Sequence, residues 1–221
     1  LPPYFSIDAD VYMERYYNFN IAANTALQFL SVTAQNTDCD LNETIDELKI
    51  VWSDIVGTVT PEEFQLEWTF VNDYGTSSGN YVDAAQLDFD FTNNSTRITT
   101  AFNFYNITLA FDHGYLLYRV REIGRDMNHP SKVITGVWSN PVASGKVSAF
   151  TDKYYIQSEH EVKKNWQYSS TFAEEGKKKE VIQYFDGSLR NRQSVTKSNS
   201  DNNIIVGQTI YDHQGRAAVS V

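Results

Sequence analysis

Two groups near the C-terminal end of the sequence combine a carboxylate, a guanidinium, an aromatic ring and a glycine at short spacing. The first is Tyr184, Asp186, Gly187 and Arg190, and the second is Tyr211, Asp212, Gly215 and Arg216. An ion pair beside a phenol could hold a polar ligand, and the same residues could brace a tight turn. Glycine reaches positive φ without steric cost, and an Asp side chain accepts backbone N–H bonds within a turn. Arg216 is close enough in sequence to pair with Asp212, and a Tyr ring can pack on a neighbouring strand while its hydroxyl reaches a carbonyl. Turn architecture therefore outweighs a ligand site at both places.

Other chemistry is thinner. Asp38, Asp40 and Asn42 have calcium-like spacing, but Glu43 stands where an EF-hand loop needs Gly and Lys49 where it needs Glu, so a solvated acidic loop is the better reading. The four histidines, at 113, 129, 160 and 213, lack zinc-site spacing. The one cysteine, Cys39, excludes an intrachain disulfide framework. No G-x-S-x-G, Cys-His context or Gly-rich phosphate loop supports catalysis. A glycosidase-type carboxylate pair would need two acids converging in a cleft. The expectation is a chain that is not an enzyme, with no cofactor and no metal. Tyr74, Tyr81 and Trp166 are the candidates for an exposed aromatic platform binding glycans or protein, although a residue of each kind is more often a packed sheet residue. Sequons occur at Asn42, Asn93, Asn94 and Asn106 and matter only in a eukaryotic secretory pathway.

A net charge of −10 over 221 residues disfavours a nucleic-acid partner, because neutralising phosphates needs clustered Lys and Arg. The one basic run, Lys177-Lys178-Lys179, reads as a solvated turn. No apolar run is long enough to span a bilayer. With 14 Tyr and 13 Phe, and few Met or Pro, the composition favours strands, so the expected fold class is all-β.

Three parts are expected. Residues 1–45 mix helix and strand signals, with Val32 and Thr33 tilting "ALQFLSVTA" toward a strand. Residues 46–142 alternate clearly. "FQLEWTF" puts Phe64, Leu66, Trp68 and Phe70 on one face, and "QLDFDF" repeats the pattern with Leu87, Phe89 and Phe91. "RITTAFNFYNITLAF" breaks near Asn103, "GYLLYRVREIG" follows a turn, and "VITGVWSNP" makes a last strand ended by Pro141. Residues 143–221 read as antiparallel hairpins, from "KYYIQSEHEVKKNWQYSSTF" to "RAAVSV".

Short strands and turns over about 100 residues describe a β-sandwich. "LEWT", "YRVREIG" and "GVWSNP" resemble the fibronectin type III family, and the resemblance assigns Trp68, Tyr118 and Trp138 to that family's core Trp, late-strand Tyr and closing Trp-Ser positions. The stretch between Val71 and Arg97 is longer than that pattern and suggests an insertion. Tyr211, Asp212, Gly215 and Arg216 match the Tyr-Asp-x-x-Gly-Arg unit of the YD repeat and resemble the Rhs family of large bacterial secreted proteins. Tyr184, Asp186, Gly187 and Arg190 match it more loosely, 27 residues earlier by their tyrosines. The resemblance implies a fibronectin-like sandwich followed by hairpins that lead into a YD-repeat shell, in a secreted or cell-surface protein. It implies a scaffold whose partners are the rest of the same polypeptide, and other surface or secretion-system proteins or glycans. The chain opens on "LPPYF" without a Met and stops at "AAVSV" within a strand-like pattern, so both ends are expected to be cuts.

Overall fold

The structure is a computed structural model, and it describes residues 27–35, 47–53, 63–74, 81–125, 131–157, 163–173, 176–199 and 203–221. Among them the fold is all-β, with antiparallel pairing throughout and two short 3-10 turns. Asp38, Cys39, Asp40, Asn42, His129 and His160 lie outside the described residues.

Two sheets form a sandwich. One holds β1 (Phe29–Gln35), β2 (Glu47–Trp52) and β6 (Phe104–Thr108) in the order β1-β2-β6. The other runs β10-β7-β3-β5, from β10 (Lys153–Gln157), β7 (His113–Arg125), β3 (Glu63–Asn72) and β5 (Thr96–Thr100), with β8 (Val133–Thr135) also pairing with β7. Alternation puts Phe64, Leu66 and Trp68 of β3 beside Leu116, Tyr118 and Val120 of β7, facing Leu48, Ile50 and Trp52 of β2 and Tyr105 and Ile107 of β6. Each such side chain contributes roughly 1.5–3 kcal/mol on full burial. The break expected near Asn103 is the step from β5 in one sheet to β6 in the other.

The opposite face of the second sheet is covered as well. β4 (Asp88–Asp90) pairs with β9 (Ser144–Lys146), and Phe89, Phe91, Val147 and Phe150 pack on Leu117 in a smaller core. The long stretch after Val71 therefore buys a lid over that face. This cover explains why β3 is buried on both sides, including Glu67 and Thr69.

The expected boundaries differ at both ends. The sandwich takes β1 from before residue 46 and β10 from beyond residue 142, because Ile156 of "KYYIQ" fills the same core as Leu116 and Val120. "VITGVWSNP" supplies only three strand residues, and its Trp138 lies outside any strand.

The third sheet is a meander of β11 (Asn165–Phe172), β12 (Lys178–Phe185), β13 (Asn191–Ser198), β14 (Ile204–Tyr211) and β15 (Ala217–Ser220). Its register makes it two-sided. Tyr168, Ile182, Val195 and Val206 are successive cross-strand neighbours, while Gln167, Gln183, Ser194 and Gly207 line the other face. Glu180 and Lys197 share the apolar face, and they meet β6 and β2 of the sandwich.

Candidate functional site

The two Asp-Arg groups fold into the same corner. Asp186 Oδ1 accepts from the backbone N–H of Ser188 at 2.9 Å and of Arg190 at 3.1 Å, and Oδ2 accepts from Arg190 Nε at 2.9 Å. Asp212 repeats the set with Gln214, Arg216 and Arg216 Nε at 2.9, 2.9 and 2.8 Å. In both, the Asp N–H donates to the Arg carbonyl, and the residue before the Arg donates back to the Asp carbonyl. Both strands enter through a bulge just before the Asp. The backbone N–H of the Arg, above all, holds both carboxyls below the usual aspartate range.

This geometry revises the alignment of the first copy. The positive φ sits at Leu189, +60°, and at Gly215, +79°, so Leu189 and not Gly187 is the counterpart of Gly215. Gly187 has open space around it and no positive φ. Likewise Phe185, and not Tyr184, corresponds to Tyr211. The copies are the hexads Phe-Asp-Gly-Ser-Leu-Arg and Tyr-Asp-His-Gln-Gly-Arg, with no insertion, 26 residues apart from Asp186 to Asp212.

The corners also interlock. The Arg190 guanidinium lies 5.0 Å from the Tyr211 ring centre, and the Tyr211 hydroxyl donates to the Asn191 carbonyl at 2.9 Å. A Cβ on Gly215 would meet Arg190 Nη1, the far end of a flexible side chain, which would have to shift to keep the second corner seated on the first. The Arg190 side chain is 37% exposed and that of Arg216 is 72% exposed.

Of the three platform candidates, the fold joins two. Tyr74 and Tyr81 pair across an isolated bridge with ring centres 5.7 Å apart. Trp166 lies on β11, opposite Tyr184 in the third sheet. Tyr81 stacks flat on His113 at 3.5 Å, and Tyr155 of β10 stands at 90° to the same imidazole. Beneath them His113 Nδ1 lies 2.6 Å from Asp73 Oδ1, the Tyr155 hydroxyl donates to Asp73 Oδ2 at 3.1 Å, and His113 Nε2 lies 3.3 Å from that hydroxyl. Tyr115 packs on Tyr155 at 4.7 Å. Desolvation, followed by the bond to the Asp73 carboxylate, pushes the Tyr155 phenol up to about 12.

Sequence reasoning missed two polar clusters. On the outer face of the second sheet, Glu67 of β3 is paired in register with Arg97 and Arg119, and it accepts from Arg97 Nη2 at 2.8 Å, Arg119 Nη2 at 2.7 Å and Ser95 Oγ at 2.8 Å. Desolvation would raise its pKa, but the bonds from Ser95, Arg97 and Arg119 prevail and lower it. The expected role of Trp138 in a closing strand is replaced: its ring caps this row, with Arg97, Arg119 and Arg121 at 5.5, 4.5 and 4.3 Å from its centre. The signal was two arginines at alternate positions of "YRVREIG", which places them on one strand face.

The second cluster joins the sandwich to the hairpin sheet. Lys178 is buried, which corrects the solvated reading of the Lys177-Lys178-Lys179 run. Its Nζ donates to Glu180 Oε1 at 3.1 Å, Thr108 Oγ1 at 3.0 Å and the Asn106 carbonyl at 3.2 Å. Glu180 also accepts from Thr108 and from the Tyr168 hydroxyl. Lys197 Nζ reaches Glu47 Oε1 at 2.8 Å, and Phe172 packs edge-on to Trp68. Lys and Glu two residues apart on one strand face were the available signal, but nothing in the sequence says what packs above them.

Among the described residues no group of three or more His, Cys, Asp or Glu could hold a metal ion. No helix among them is long and apolar enough to cross a membrane. Fold and site together define an all-β protein in which a sandwich is joined to a hairpin sheet with repeated corners. Compared with protein-family models, with curated proteins and with solved structures, the chain matches none.

Proposed function

We propose that the chain is a non-catalytic scaffold segment of a large secreted or cell-surface bacterial protein of the Rhs/YD-repeat type, in which a fibronectin type III-like sandwich carries the first hairpins of a longer strip. The observation that carries this reading is the interlocked pair of corners. Arg190 of the first seats on Tyr211 and beside Gly215 of the second, while the corresponding guanidinium of Arg216 is mostly exposed. A unit that seats its successor is suited to extension, and β15 is an edge strand with an exposed ladder side. The packing of the three-stranded sheet β1-β2-β6 on the five-stranded sheet β10-β7-β3-β5, with β8 beside β7, supports the sandwich part of the reading, as do the buried Trp68 and Tyr118. Partners are then the rest of the polypeptide and other surface or secretion-system proteins.

Hydrogen exchange tests this. In the isolated chain, amides of β14 and β15 exchange much faster than those of β12 and β13, because the last hairpin lacks its neighbour. Protection through Val221 equal to that of β12 would overturn the reading.

A second reading, a ligand-binding module, is favoured by the grouping of Tyr74, Tyr81 and Tyr155, which are 52%, 53% and 42% exposed. On it the sandwich presents an aromatic surface to a glycan or protein.

A further inference from the structure

The tyrosine cluster at the end of β3, β7 and β10 is built as walls and not as a flat platform. Tyr81 lies flat on His113, with the ring planes 16° apart. Tyr74 stands at 80° to Tyr81, and Tyr155 stands at 90° to His113. A sugar ring stacks best on one broad aromatic face, whereas rings set at right angles present several π-faces to a compact group. Aromatic boxes of that kind recognise quaternary ammonium ions, because each ring face is the negative end of a quadrupole.

Charge points the same way. The Asp73 carboxylate lies beneath the rings and is 1% exposed. The acidic groups that act on Tyr115 and Tyr155 are Asp73 and Asp83, and among the described residues no cation–π contact involves Tyr74, Tyr81, Tyr115 or Tyr155. The rings therefore lie in a negative field, and apart from the Tyr81 face that His113 covers, no Lys or Arg among the described residues occupies their π-faces.

The acceptors are used internally. Asp73 Oδ1 lies against His113 Nδ1, Oδ2 accepts from the Tyr155 hydroxyl, and His113 Nε2 faces that same hydroxyl. A primary ammonium or guanidinium on the rings would lose water from its N–H groups and could not reach the Asp73 carboxylate buried beneath them. A cation without N–H donors loses nothing of that kind.

Resting on the ligand-module reading, we propose that Tyr74, Tyr81 and Tyr155 form a binding site for a quaternary methylammonium group, with Asp73 supplying charge from below. The ligand is the trimethylammonium head, whether free as in choline or carried on a trimethylated lysine.

The test is an NMR titration of the whole chain with tetramethylammonium chloride, choline and a trimethyl-lysine peptide, against sodium chloride at equal ionic strength. A panel of neutral saccharides runs in parallel. Tyr ring protons shift and saturate with the methylated cations but not with ammonium chloride, and the peptide arm separates a protein-borne source from a free one. Tyr81→Leu or Tyr74→Ala weakens binding by about tenfold, as the loss of one ring face implies, while Tyr155→Phe keeps the ring and retains most of the binding. Tyr74 does not stack on the buried His113 as Tyr81 does, so its variant stands should Tyr81→Leu fail to fold. Saturable binding of saccharides with none of the methylated cation overturns the proposal and leaves the ligand-module reading intact. Binding of neither overturns the proposal together with the glycan form of the ligand-module reading.

Discussion

Leu189 and Gly215 occupy the same position in two otherwise matching corners, and only one of them suits it. A left-handed backbone costs an L-residue roughly 1–2 kcal/mol, which glycine escapes at the expense of a more flexible unfolded chain. Leu189 is exposed, so its side chain offsets little of that strain by burial. Leu189→Gly is therefore expected to stabilise the protein by up to about 1 kcal/mol. Gly215→Ala is expected to destabilise it by more than that, since the new Cβ meets both the strained backbone and the Arg190 guanidinium. Urea titration of the two variants checks the opposite signs, and equal effects would show that the corners are not equivalent. The comparison also explains why the first copy was misaligned in sequence. Gly187 looked like the bend because glycine usually makes it, but the carboxylate at Asp186 counts two and four residues forward to find its donors, and that count places the bend at Leu189.

At the scale of elements, β3 and β7 show what periodicity can and cannot carry. Alternation in "FQLEWTF" names the core face correctly, since Phe64, Leu66 and Trp68 meet the opposite sheet. It also leads one to expect a solvated Glu67, which is instead buried under the β4–β9 cover because residues far along the chain supply Ser95, Arg97 and Arg119. The corner chemistry of Asp212, Gly215 and Arg216 was legible because all its contacts are local. The grouping of Tyr74 and Tyr81 with Tyr155, and the separation of Trp166 from them, depend on which strands pair and were not. β7 adds a testable anomaly. Its core-facing series Leu116, Tyr118 and Val120 continues to Glu122, which is opposite Phe64 in register and has an Oε1 with no hydrogen-bond partner. Desolvation raises the Glu122 pKa. A carboxyl whose folded pKa exceeds its unfolded value stabilises the fold at pH below the ordinary glutamate range, and that contribution is lost as pH rises through the folded value. Glu122→Gln is expected to leave stability near pH 4 almost unchanged and to raise it by about 1 kcal/mol at pH 7. Thermal melts across that range check it, and a parallel loss of stability at both ends would show that the carboxylate has a partner.

At the scale of the whole molecule, the junction decides whether the sandwich and the hairpin sheet behave as one body. It is made largely of polar groups: Lys178 and Glu180 from β12, Thr108 and Asn106 from β6, and the Lys197–Glu47 pair between β13 and β2. Both partners of the Lys178–Glu180 pair have side chains only 5% exposed. A buried pair of this kind gains little net stability over an apolar replacement, but removing one partner leaves the other charge stranded, at about 3–5 kcal/mol. Such a junction fixes one geometry more than it adds strength. Lys178→Ala is therefore expected to cost about that amount, with the loss concentrated in β12 and β13, while amides of β2, β3 and β7 keep their protection in hydrogen exchange. The double variant Lys178→Met, Glu180→Leu removes both charges and is expected to recover most of the stability. If Lys178→Ala instead lowers protection equally in the sandwich and the hairpin sheet, the two fold as a single cooperative unit, and the junction carries more of the fold than its polar composition implies.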